Sequence, residues 1–125
     1  MADSPPETKR AKVVLMYYSP KGRQSLEAVL HRHNLKVFSV DGRAADAVDM
    51  LRKHPAEVVV VDHGADDVSL SQAIRQVCQI LPGSLVVAAY PNREEVGIYQ
   101  GGRRIGVAES LEAALRQHAY NLDPQ

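Results

Sequence analysis

The sequence predicts an α/β protein built on a single doubly wound sheet of five parallel strands, with helices on both faces. Three observations lead there. The chain has 125 residues, enough for one compact domain and too few for two. With 45% hydrophobic and 24% charged residues, 8 Gly and 7 Pro, it can bury a core and is neither disordered nor collagen-like in composition. Short β-branched runs alternate with amphipathic segments, the pattern of successive βα units around a parallel sheet.

The first strand is expected over Val13-Val14-Leu15-Met16-Tyr17 and the second over Val37-Phe38-Ser39-Val40. The third, Glu57-Val58-Val59-Val60-Val61, and the fourth, Leu85-Val86-Val87-Ala88-Ala89, show almost no polar alternation, as expected of central strands covered on both faces. The fifth is expected over Arg104-Ile105-Gly106-Val107-Ala108. Between them lie helices. Residues 24–33 put Leu26, Val29 and Leu30 on one face, and residues 44–53 do the same with Ala47, Val48 and Leu51. Residues 69–80 and 110–120 repeat the pattern, with Ser110 as N-cap of the last helix. A shorter fourth helix over 93–100 contains Gly97. Right-handed crossovers then give the flavodoxin-like strand order 2-1-3-4-5. Residues 12–120 form the expected domain, with tails over 1–11 and 121–125.

Charge and cysteine content narrow the function classes. Fifteen Lys and Arg balance fifteen Asp and Glu, so there is no net attraction for nucleic acid or an anionic membrane. The one cysteine, Cys78, falls among Ala73, Ile74, Val77 and Leu81 and is expected as a small buried hydrophobe. The opening MADSPPETKRAK has no apolar core of signal-peptide length, and no run approaches the apolar length of a membrane span, so a cytoplasmic location is expected.

In a doubly wound sheet the working groups collect at the carboxyl ends of the strands. Here these are Tyr17-Tyr18-Ser19, Asp41-Gly42, Asp62-His63-Gly64, Ala89-Tyr90-Pro91 and Ala108-Glu109. Asp62 is an isolated carboxylate at the centre of that rim.

From about Lys12 to His118 this pattern resembles the receiver domain of two-component response regulators. Pro55-Ala56-Glu57-Val58-Val59-Val60-Val61-Asp62 looks like the family's proline, acidic residue, apolar strand and phosphoacceptor aspartate. Val86-Val87-Ala88-Ala89-Tyr90 looks like its fourth strand, and residues 93–102 like the helix that follows. The resemblance implies a Mg-dependent phosphoaspartate site in which only Asp62 keeps its residue type. Tyr17 and Tyr18 stand where the family has two acidic metal ligands, Ala88 where it has Thr or Ser, and Ala108 where it has Lys. Tyrosines offer Mg²⁺ no hard anionic oxygen, and Asp66 and Asp67 would repel an incoming phosphoryl group. Phosphoryl transfer needs a metal and cations to meet the transferred charge, so the chain resembles a degenerate pseudo-receiver without metal or cofactor. Asp62 is then a structural aspartate capping the amides of its own loop, or a remnant phosphoacceptor.

The remaining signals are weaker. The run from Asp62 to Asp67 matches neither an EF-hand loop nor a zinc site, and His31 and His33, two apart on a helix, cannot converge on one ion and read as surface residues. Asp62-His63-Gly64 echoes a cobalamin-binding loop without its spacing or position. Gly101-Gly102-Arg103-Arg104 reads as a solvated turn with two arginines.

The expected function is thus a non-enzymatic signalling module acting by protein–protein contact. Its expected partner belongs to a signalling pathway, a histidine kinase or an output protein, or is a second copy of the chain. The expected contact face draws on Ile98, Tyr99, Arg103, Arg104 and Arg116. The competing expectation is a small phosphate-, nucleotide- or flavin-binding protein using Ser19-Pro20-Lys21-Gly22 with Asp62 opposite.

Overall fold

A computed structural model describes residues 12–62, 67–89 and 95–118. The two expected tails, His63 to Asp66 of the acidic loop and the start of the expected 93–100 helix lie outside the described residues. In chain order the elements are β1 (Lys12–Tyr17), α1 (Pro20–Arg32), β2 (Lys36–Asp41), α2 (Ala47–Lys53), β3 (Val58–Asp62), α3 (Asp67–Ile80), β4 (Leu85–Ala89), β5 (Val96–Gln100), β6 (Arg103–Ala108) and α4 (Leu111–His118). The class is α/β, with one mixed six-stranded sheet in the order β2-β1-β3-β4-β5-β6.

The first four strands pair in parallel as the sequence predicts, with Met16 beside both Val40 and Val61. The far end corrects the expectation. Residues 96–100 are a strand, antiparallel to β4 and to β6, so the five-stranded all-parallel sheet is replaced by a mixed one. The cause is local. Val96 and Ile98 alternate with Gly97 and Tyr99 at the period of a strand, and both central residues of the β5–β6 hairpin, Gly101 and Gly102, have positive φ (61° and 84°). A two-residue loop with φ > 0 at both positions is the turn that matches the twist of antiparallel strands, and glycine enters that region without steric cost.

The alternation of each strand divides the core between two layers. Val13, Leu15, Val58, Val60, Val87, Ile98 and Ala108 pack under α1 and α4, whereas Val14, Met16, Val59, Val61, Val86 and Ala88 pack under α2 and α3. Cys78 lies buried in the α2/α3 layer as expected.

Local signals set the helix ends. Ser19 caps α1, its Oγ accepting from Gly22 N at 3.0 Å, and Pro20 follows at a position where a missing N–H costs nothing. The helix therefore starts four residues before the expected Gln24. At its other end Asn34 takes the left-handed conformation (φ 60°), Asn34 N donates to His31 O and Leu35 N to Leu30 O. This Schellman closure turns buried Leu35 back onto Leu30 in one core. In α4, Ser110 Oγ accepts from Ala113 N at 3.0 Å, the cap predicted for that helix.

Candidate functional site

Asp62 ends β3, and the parallel pairing of β3 with β1 brings the residues after Tyr17 alongside it. The chain there turns into α1, whose first-turn amides have no partner within the helix and carry partial positive charge. The Asp62 carboxylate lies at this end of the helix and meets the two amides just before it, those of Tyr18 and the N-cap Ser19. Its Oδ2 accepts from Tyr18 N at 3.2 Å, Ser19 N at 3.2 Å and Ser19 Oγ at 3.1 Å. Ser19 Oγ links the two systems, accepting from Gly22 N while donating to Asp62.

Asp62 is 0% exposed, in a setting where a charge without partners would be strongly destabilising. Three donors on one oxygen and the end of a helix offset that penalty. Oδ1 has no hydrogen-bond partner among the described residues. Gly22 makes the approach possible, because a Cβ there would lie 2.3 to 2.4 Å from the carboxylate atoms. Asp62 thus binds the amides of the β1–α1 turn, while its own loop, where the sequence places its partners, lies outside the described residues.

The two tyrosines beside Asp62 face different ways. Tyr17 takes the Arg23 guanidinium 4.9 Å above its ring, with Arg23 also 3.4 Å from its hydroxyl. Tyr18 lies over Gly42, where a Cβ would fall 2.4 Å from the ring, and its hydroxyl is 4.0 Å from Met16 Sδ. Burial and then the negative charge of Asp41 push the Tyr18 hydroxyl above its ordinary pKa, so it stays neutral at physiological pH. Asp41 itself accepts from Arg43 N at 2.9 Å, closing the turn after β2. No group of three or more His, Cys, Asp or Glu side chains converges among the described residues.

The other predicted site residues separate. Ala88 is buried in β4, beside Val61 and Gly97. Ala108 is buried under α4, but β5 intervenes between its strand and β4, so it does not occupy the fifth-strand position expected for it. Of the expected contact face, Ile98 is a core residue with no exposed surface. Tyr99 is partly buried on the α2/α3 side of the sheet, and Arg116 is exposed on α4, which covers the opposite side. Arg103 and Arg104 are exposed on β6. The five residues therefore do not form one surface, because a strand replaces the helix that was to present the first two.

Of the β1–α1 turn, Lys21 is exposed, whereas Ser19 and Gly22 meet Asp62 directly. Among the histidines, His31 is exposed as expected, but His33 is only 14% exposed at its side chain. Its Nε2 pairs with Glu112 of α4, and Arg32 lies 3.5 Å from the same carboxylate oxygen. That link joins residues 79 apart in sequence, and no local pattern announces it. A scan of protein-family models, a search of curated proteins and a search of solved structures each found no match to the chain.

Proposed function

We propose that the chain is a non-enzymatic interaction module, similar to a pseudo-receiver, whose central aspartate holds the fold rather than passing a phosphoryl group. The observation that carries this is the engagement of Asp62 Oδ2 by Tyr18 N, Ser19 N and Ser19 Oγ inside a fully buried site. A receiver-type switch needs an exposed carboxylate and a metal that gathers anionic oxygens around it. Here tyrosines stand at the end of β1 in place of acidic residues, and the Tyr18 and Ser19 amides and the Ser19 hydroxyl are the partners of the carboxylate. Protein contact is the remaining way for such a domain to act, with a signalling protein or another copy of the chain as partner.

The second reading, a phosphate, nucleotide or flavin site at Ser19 to Gly22, has this same geometry against it. The N-terminal amides of a helix form a ready anion site, but here an internal carboxylate already occupies this end of α1, bonded to Tyr18 N and Ser19 N and close against Gly22. An external phosphate would have to displace Asp62 or be repelled by it.

Titration tests both. Mg²⁺ at millimolar concentration is expected to leave Tm unchanged, and inorganic phosphate, ATP and flavin mononucleotide to leave the amide resonances of residues 18–22 in place. A rise of several degrees specific to Mg²⁺ would overturn the module, and saturable shifts of those amides by one of the anions would establish the second reading.

A further inference from the structure

We infer that β6 is a self-pairing edge, at which two copies of the chain join antiparallel about a two-fold axis through Gly106; this deepens the interaction-module reading by naming its partner. Among the described residues β6 is the last strand of the sheet, and one side of its backbone has no strand beside it. Unpaired N–H and C=O groups along such a side are a template for another strand. The side chains beside it are those of a covered surface. Ile105 is 50% and Val107 43% exposed, the two large hydrophobic residues found exposed among those described. Both alternate with Gly106 and Ala108, which pair with or pack on the α1/α4 layer, and so both point to the α2/α3 side. α3 packs on β3 and β4, and among the described residues no helix covers that side of β6.

The occupant follows from symmetry and charge. A two-fold axis normal to the sheet keeps like faces level, so over residues 105–109 odd positions must oppose odd and even oppose even. An axis through Ile105 centres the pairing on the bulged residue, which the register leaves without a partner on β5, and one through Val107 sets Ile105 against Glu109. The first breaks the ladder at its centre and the second buries an apolar side chain against a charge. The axis through Gly106 sets Ile105 against Val107 twice, whereas Arg103, paired with Gln100, turns to the α1/α4 side. The register shift at Ile98/Tyr99 adds to the match. Arg104 opposes Tyr99 across the bulge and shares its side, bringing Arg104 next to Ile105 and within diagonal reach of the partner copy's Glu109. The strand is thus self-complementary in charge and in apolar contact, as an isologous interface requires.

Sedimentation velocity of three forms tests this, each checked by circular dichroism. The wild type is expected to dimerise at tens of micromolar. Two variants carry one sign of charge each: Glu109→Arg and Arg104→Glu. Each alone is expected to need about tenfold or more concentration to dimerise, since cross-strand attractions become repulsions on both sides of the axis. An equimolar mixture of the two restores every opposite pair and is expected to sediment as a dimer at the wild-type concentration. A wild type still monomeric at about 100 μM, variants that dimerise as the wild type does, or a mixture that stays monomeric overturns the pairing. None of these results bears on Mg²⁺ or anion binding, so failure of the pairing and failure of the module reading remain distinguishable.

Discussion

Gly22 and Asp62 show how one missing methyl group sets up a buried charge. A Cβ at position 22 would fall 2.3 to 2.4 Å from the carboxylate atoms, well inside van der Waals contact. Gly22→Ala must therefore push the carboxylate off Tyr18 and Ser19 or displace the first turn of α1, and is expected to cost about 2–3 kcal/mol by denaturant unfolding. With Asp62→Ala in place the obstacle is gone, and alanine's better helix propensity should make the same change stabilising by up to about 1 kcal/mol. A cost of Gly22→Ala that is equal in both backgrounds would contradict the contact. Asp62 was legible as the isolated carboxylate at the centre of the rim, and Ser19 and Gly22 as members of a candidate phosphate loop after β1. Their contact was not, because it depends on β1 and β3 pairing in the register that sets Met16 against Val61.

The same lesson holds for whole elements, where runs covered on both faces were legible and edges were not. β3 and β4 announce themselves by unbroken apolar residues. The segment 96–100 contains five residues, too few for helical periodicity and strand alternation to part, and Gly101-Gly102 was the deciding signal as a hairpin turn. The α1–α4 link depends on the tertiary fold. The hydrogen bond with His33 holds the Glu112 carboxyl below the ordinary carboxylate range, outweighing partial burial, with further electrostatic pull from His33 and Arg32. A carboxyl whose pKa falls on folding stabilises above its unfolded value, near 4.3, and loses that contribution as pH drops through the folded value. The stability gap between wild type and Glu112→Gln should accordingly be present at pH 5 to 6 and close as pH falls toward about 3. A gap that persists undiminished at pH 3 would show that the carboxylate's charge is not what joins the helices.

Across the whole molecule, the sheet changes from parallel to antiparallel at β4, and the change relocates the proposed contact surface. A five-stranded parallel sheet would expose a helix over 93–100 and make Ile98 part of a contact surface. In the mixed sheet Ile98 is interior, beneath α4 with Leu111, Ala114 and Leu115. Ile98→Ala should then cost about 2–5 kcal/mol of stability and leave the solution mass of the folded protein unchanged. Loss of self-association in a variant that keeps wild-type stability would restore Ile98 to the surface. The β5–β6 hairpin also carries the sheet's apolar edge away from Asp62, so aspartate and edge occupy separate parts of the fold. The central claim is that Asp62 is held by its own fold and does not act as a phosphoryl switch. Its most direct test is incubation with acetyl phosphate, and separately with beryllofluoride, in the presence of Mg²⁺, followed by intact mass and amide spectra of the whole domain. The expected result is an unchanged mass and no shift spreading from Asp62 into the neighbouring strands. Stoichiometric phosphorylation at Asp62, with amide shifts spreading across β3 and β4, would contradict it.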